Sequence, residues 1–220
     1  MTQNKQHHLN TLSEIRSLME RSSRFISLSG LSGVVAGTIA LLGAIVAYVY
    51  LEVTPFDQQR IYYVEAPSAT KWGMNFIQFF FLDAAVVLVT ALSAGVFFTT
   101  RKAKQKGLKV WDATSKRLLI NLLIPLITGG VFCLALLYHR FLGFVAPTTL
   151  IFYGLALVNA SKFTLNDIRY LGISEIILGL IALFYLGYGL EFWAIGFGIL
   201  HIFYGAIMYF KYERNEAVTV

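Results

Sequence analysis

Arg101-Lys-Ala-Lys-Gln-Lys-Gly-Leu-Lys-Val-Trp-Asp-Ala-Thr-Ser-Lys-Arg117 is the only long, strongly basic polar run inside the chain, and long apolar segments flank it on both sides. Translocating Lys and Arg across a bilayer is costly, so they gather in the cytoplasmic loops of membrane proteins. The run therefore fixes which side of a bilayer is which. Arg101, Lys102, Lys104, Lys106, Lys109, Lys116 and Arg117 form the expected cytoplasmic basic face.

Threading outward from this run predicts an all-α, polytopic integral membrane protein. Apolar spans are expected at 26–51, 74–100, 118–138, 141–160, 166–185 and 191–212, each near the ~20 residues that cross a hydrocarbon core. Charge placement tests this layout. Of the 18 Lys and Arg, only Arg60, Lys71 and Arg140 fall on the side opposite the basic run. The layout thus predicts six crossings paired as three hairpins, with both termini in the cytoplasm of a bacterial inner membrane. Residues 1–25 form a cytoplasmic segment, 26–212 the transmembrane domain and 213–220 a cytoplasmic tail. In the first segment Leu9, Leu12, Ile15, Leu18 or Met19, and Phe25 recur at helical spacing, and Thr11 to Glu14 fits a capping box. That pattern reads as an amphipathic helix on the membrane surface or as an extension of the first span.

Composition agrees. The 220 residues are 57% hydrophobic and 14% charged, against roughly 25% charged in average soluble chains. A net charge of +6 does not point to nucleic acid, because the cations lie in loops between apolar runs rather than on one amphipathic face. Cys133 is the single cysteine, so no internal disulfide forms, and no Cys/His spacing predicts a metal site. The opening MTQNKQHHLN is polar, so the first apolar segment is expected to act as its own insertion signal.

Ser29, Gly33 and Gly37 stand at four-residue steps on one ridge of the first span. Small residues so spaced let another backbone approach closely, which predicts a packing helix or a homo-oligomer seam. Leu150-Ile-Phe-Tyr-Gly154 returns as His201-Ile-Phe-Tyr-Gly205, and Ala94-Gly95-Val-Phe-Phe is a weaker third copy. Parallel repetition of helical hairpins would account for this, and so would chance in a chain rich in these residues.

Two resemblances rest on particular stretches. Gly172-Ile-Ser-Glu-Ile-Ile-Leu-Gly179, continuing to Phe197-Gly-Ile-Leu-His-Ile-Phe-Tyr-Gly205, resembles the acid-resistance membrane protein family (HdeD-like), which are small six-span proteins. The resemblance is best over the last hairpin. It departs from the family's pattern at both tight turns, which lack the usual proline. Glu20-Arg-Ser-Ser-Arg-Phe-Ile-Ser-Leu-Ser-Gly-Leu-Ser-Gly33 resembles the start of uncharacterised small membrane proteins of Bacteroidota-type bacteria. Neither resemblance implies a catalytic residue.

Ionisable groups deep in a bilayer are functional candidates by default. His201 lies near the centre of the last span, and Glu175 lies within one helical turn of it in depth when counted back from the turn at Gly189. Tyr204 is nearly one turn from His201. Glu175, His201 and Tyr204 are thus expected to cluster, either as a switch that takes and releases a proton or as a polar lock between helices. Asp83 is the fourth candidate, as a partner of that cluster, of the serine-bearing ridge, or of Asn75 or Gln78. His139 and His201 differ too far in depth for a bis-histidine haem site. No nucleotide loop, metalloprotease helix or nucleophile motif is present, so neither a cofactor nor enzymatic activity is expected. The sequence leads to an interaction or sensing protein whose basic face meets a soluble protein or anionic lipid. Small-solute or proton-coupled transport, through a carrier or pore, is the alternative.

Overall fold

The computed structural model describes residues 28–56, 70–105, 107 and 110–214. The expected amphipathic helix, its capping box, Lys106, Lys109 and residues 215–220 lie outside the described residues. The described chain is almost wholly helical.

Helix α1 (Gly30–Leu51) ends where Glu52 turns left-handed at φ 58° and its N–H reaches back to Tyr48 O and Val49 O. This closes the orphan carbonyls of the last turn. A two-residue hairpin, β1 (Thr70–Lys71) and β2 (Met74–Asn75), precedes the next helix. Trp72 and Gly73 at its tip both have positive φ, which suits the right-handed twist of a short hairpin. Helix α2 (Phe76–Gln105) opens with a reciprocal cap: Asn75 N–H donates to Gln78 Oε1 at 3.0 Å, and Gln78 N–H to Asn75 Oδ1 at 2.9 Å. Each side-chain oxygen thus satisfies the other residue's backbone N–H, and neither residue is a partner of Asp83.

Helix α3 (Ala113–Tyr138) starts at Asp112, whose Oδ1 accepts from Ser115 N–H at 2.7 Å. The basic run is therefore mostly helical. Arg101–Gln105 completes α2 and Ala113–Arg117 opens α3, with residues 106–112 between them. Cations in the final turn of α2 are favoured by the helix dipole, and Asp112 supplies the start signal for α3. A 3₁₀ turn (Leu142–Phe144) leads into α4 (Val145–Ala160), and a second (Ser161–Phe163) leads toward α5 (Asp167–Ala182). The last rod comprises α6 (Gly189–Trp193), a π-helical segment (Ala194–Leu200) and α7 (His201–Tyr212).

Five of these helical stretches are long and apolar enough to cross a membrane: α1, α2, α3, Leu142–Phe163 around α4, and the rod Gly189–Tyr212. The chain is a membrane protein on that ground. Helix α5 is shorter than its expected span, at 16 residues, or about 24 Å of rise.

Packing is closest between α4 and α5, followed by α3 with α4, α1 with α7, and α1 with α2. Neighbours in sequence pair in α1–α2, α3–α4 and α4–α5, whereas the last rod lies chiefly on α1 rather than on α5. Glycines explain this choice. A Cβ on Gly154 would meet Gly172 O, and one on Gly172 would meet Gly154 O at 2.7 Å. Gly33 faces Gly205 Cα, and a Cβ on Gly37 would meet Gly198 O. Bare backbone meeting bare backbone brings these helices closer than any larger pair allows. Helices α2 and α3 keep long apolar faces exposed, from Phe81 to Phe97 and from Ile120 to Leu134.

At one end of the bundle Glu213 ties three helices together. Its carboxylate accepts from Gly30 N–H at 2.5 Å, from Ser29 Oγ at 3.3 Å and from Lys102 Nζ at 3.1 Å, while Lys102 also donates to Leu28 O. Asp167 receives Lys211 Nζ at 3.1 Å and Tyr212 O–H at 2.7 Å at the same end. Arg101, Lys104, Lys116, Arg117, Lys162 and Arg169 gather there, exposed.

Candidate intramembrane polar site

Glu175 lies midway along α5, and none of its surface is exposed. It faces the last rod where that rod is π-helical. Gly196 lies opposite, and a Cβ there would sit 2.5 Å from Glu175 Oε2. Glycine at 196 is what lets the carboxyl press against the backbone of the rod. Neither Glu175 oxygen has a hydrogen-bond partner among the described residues. Leaving a buried carboxyl unpartnered is costly, and such groups in native proteins call for an explanation.

His201 closes the other side. Its Nδ1 is 3.5 Å from Glu175 Oε1, too long for a strong hydrogen bond, and 3.0 Å from Gly196 O. A carbonyl only accepts, so that contact places the proton on Nδ1. Nε2 of the neutral ring then accepts from the Tyr153 hydroxyl, 2.7 Å away on α4. Phe197 stacks on the imidazole, with centroids 5.9 Å apart and planes inclined by 19°. One ring thus joins α4, α5 and the π segment. A carboxyl short of a hydrogen bond stands beside an imidazole whose single N–H is already committed.

The expected residues divide in two. Glu175 and His201 come together. Tyr204 sits one step aside, with its hydroxyl 3.2 Å from Ser174 Oγ, next to Glu175 in sequence but not bonded to it. Asp83 faces α1, where a Cβ on Gly43 would lie 3.5 Å from its Oδ2, and it takes no part in the Glu175–His201 contact. Tyr153 and Gly196 are the members that sequence reasoning missed. Tyr153 did carry a signal, because it occupies the same repeat position in Leu150–Gly154 as Tyr204 does in His201–Gly205. In both copies the tyrosine bonds toward the α5–rod seam and the following glycine meets a glycine of another helix, Gly172 for Gly154 and Gly33 for Gly205. The π segment, with Gly196 and Gly198, had only the Gly-Phe-Gly spacing to announce it.

Ser29, Gly33 and Gly37 line the α1 face toward α7 and the π segment, with Ser29 bonded to Glu213. At the basic end, outside the spans, Ser115 N–H and the Ser115 hydroxyl hold the Asp112 carboxyl below the usual carboxylate range. Among the described residues no group of three or more His, Cys, Asp or Glu side chains is placed to hold a metal ion. No family model, characterised protein or solved structure matches this chain.

Proposed function

We propose that this chain is a non-enzymatic sensing or interaction protein of the bacterial inner membrane. It crosses the bilayer six times, α5 included, with its basic end and both termini in the cytoplasm. Its responsive element is the Glu175–His201 pair. The observation that carries this reading is the fully buried Glu175 carboxyl, with both oxygens unpartnered and one of them 3.5 Å from His201 Nδ1. Adding a proton to Nε2 obliges Tyr153 to turn from donor to acceptor, and it sets an imidazolium beside Glu175. The pair and its surroundings therefore have two hydrogen-bond arrangements, which a sensor needs. The rod that carries His201 also carries Glu213, which holds the α1 and α2 ends at the basic face.

Trp193 reports on this element, because its ring lies 5.2 Å from Phe197, which stacks on His201. With Trp193 as the only tryptophan, its fluorescence in nanodiscs is expected to show a pH transition that Glu175→Gln removes. A flat profile, or one unchanged in the variant, contradicts sensing through this pair.

One observation favours a second reading, proton-coupled transport. The Gly196 carbonyl, in the π-helical segment, stands beside an ionisable pair within a helix long enough to cross the membrane. π-helical stretches inside α-helices lie frequently at functional sites, and ionisable groups within a spanning helix mark proton paths. Acid-driven proton entry into liposomes, lost in Glu175→Gln, would select transport over sensing.

A further inference from the structure

Helix α3 packs chiefly on α4 and the turns beside it, and it leaves Ile120, Ile124, Ile127 and Val131 exposed along its length. Its basic end is built in detail. Asn159 Nδ2 donates to Asn121 O at 2.8 Å, Asn121 Nδ2 donates to Arg117 O at 2.8 Å, and Lys162 Nζ donates to Asn159 Oδ1 at 3.2 Å. Two asparagines thus bind the seam of α3 and α4 and hold the backbone of one cation and the side chain of another beside it. Lys116 lies over the exposed Trp111 ring, 5.9 Å from its centroid, and the Asp112 cap fixes that turn. Among the described residues the ion pairs are Lys71–Glu52, Lys102–Glu213, Lys211–Asp167 and His201–Glu175. Lys116, Arg117 and Lys162 are in none of them and are exposed.

We propose that this seam binds an anionic phospholipid, its phosphate held by Lys116, Arg117 and Lys162 and an acyl chain laid along the exposed face of α3. The occupant is set by the two chemistries that meet there. Three uncompensated cations call for an anion, and they stand at the end of an apolar helix face long enough to cross a bilayer. A tryptophan lies where interfacial aromatics sit. A soluble acidic protein would answer the charge but would leave the apolar face unused. Each Lys or Arg near an anionic membrane surface adds about 1 kcal/mol of attraction, or roughly fivefold in binding. The proposal rests on the reading that the chain crosses the membrane with its basic end at one surface.

The test uses the full chain with Trp111 as its only tryptophan (Trp72→Phe, Trp193→Phe), in phosphatidylcholine vesicles containing phosphatidylglycerol, with one lipid or the other brominated. Trp111 is expected to be quenched preferentially by brominated phosphatidylglycerol. The preference should fall by about tenfold or more in the Lys116→Gln/Arg117→Gln/Lys162→Gln variant and persist in Arg169→Gln. Inorganic phosphate should leave it in place relative to chloride of matched ionic strength. Equal quenching by both lipids overturns the proposal, as does a preference that survives the triple substitution. Loss of the preference to inorganic phosphate overturns it in favour of a soluble anion. Binding of polyglutamate without lipid preference overturns it in favour of an acidic protein. Trp111 quenched by neither lipid would instead contradict the membrane placement itself.

Discussion

The Tyr153 hydroxyl lies 2.7 Å from His201 Nε2, joining residues 48 apart in sequence across α4 and the last rod. This bond settles the imidazole's orientation, and Gly196 O settles where its proton resides. Glu175 is then the one member of the group without a bond of its own. A buried donor or acceptor stripped of its partner costs about 1–3 kcal/mol, which is the scale on which substitutions around this ring should register.

Tyr153→Phe keeps the ring against Phe197 and removes only the O–H, leaving Nε2 buried without a donor. The expected loss is about 1–3 kcal/mol, read from unfolding in detergent. Tyr204→Phe loses a longer contact to Ser174 and should cost less. A larger loss at Tyr204 than at Tyr153 would reverse the ranking of the two repeat tyrosines.

The glycine contacts predict a graded series. A methyl at Gly37 meets the Gly198 carbonyl and the Ile202 backbone, neither of which yields, whereas at Gly33 it comes within 3.1 Å of Gly205 Cα. Gly37→Ala is therefore expected to destabilise more than Gly33→Ala, by about 1–3 kcal/mol as overpacking does, and Leu at either position more than Ala. Gly130 has nothing within 4 Å of an added Cβ, so Gly130→Ala should be neutral or stabilising by up to about 1 kcal/mol through helix propensity. Equal melting temperatures across the series would remove the backbone-contact account of α1–α7 packing.

Much of this was legible in the sequence, and particular residues show where legibility stopped. Apolar runs predicted helices because lipid burial leaves few alternatives for a backbone. The depth of Glu175 relative to His201 came from helical rise once the turn was placed. Azimuth did not. Tyr204 shares the depth of Glu175 but points to Ser174, and Asp83 points to Gly43. Small errors in the turn rotate a predicted face by a large angle, since each residue advances about 100°. The preference of α5 for α4 over the last rod was hidden because it depends on Gly154 meeting Gly172, residues of consecutive spans that the layout assigned to different hairpins. The polar run read as a loop proved to hold two helix ends, Arg101–Gln105 and Ala113–Arg117, since a cap such as Asp112 extends a helix into polar sequence.

Asp112→Ala should cost about 1 kcal/mol by removing the cap of α3. Because the folded carboxyl lies below its ordinary range, its contribution is fully present above the unfolded value of about 4. It is lost as pH falls through the folded value. The stability difference between wild type and variant should accordingly shrink on acidification below about pH 4. A difference that grows on acidification would contradict the capping role.

Orientation is tested by labelling single cysteines in a Cys133→Ala background with an impermeant reagent. Exposed positions at opposite ends of the bundle are needed, and Lys104, Lys116, Thr70 and Tyr138 are all exposed. Cysteines at Thr70 and Tyr138 are expected to react in intact cells, and those at Lys104 and Lys116 only after permeabilisation. Reaction at Lys116 in intact cells would invert the proposed topology.

The most direct test of the central claim is a double-mutant cycle between Glu175 and His201, measured by unfolding in detergent or bilayer across pH. Glu175→Gln and His201→Phe should each change stability, and the double variant should differ from the sum of the two by about 0.5–3 kcal/mol, as for residues in direct contact. That coupling should change with pH in the wild-type background. Strict additivity at every pH would contradict the contact, and a pH-independent coupling would leave a polar lock in place of a sensing pair.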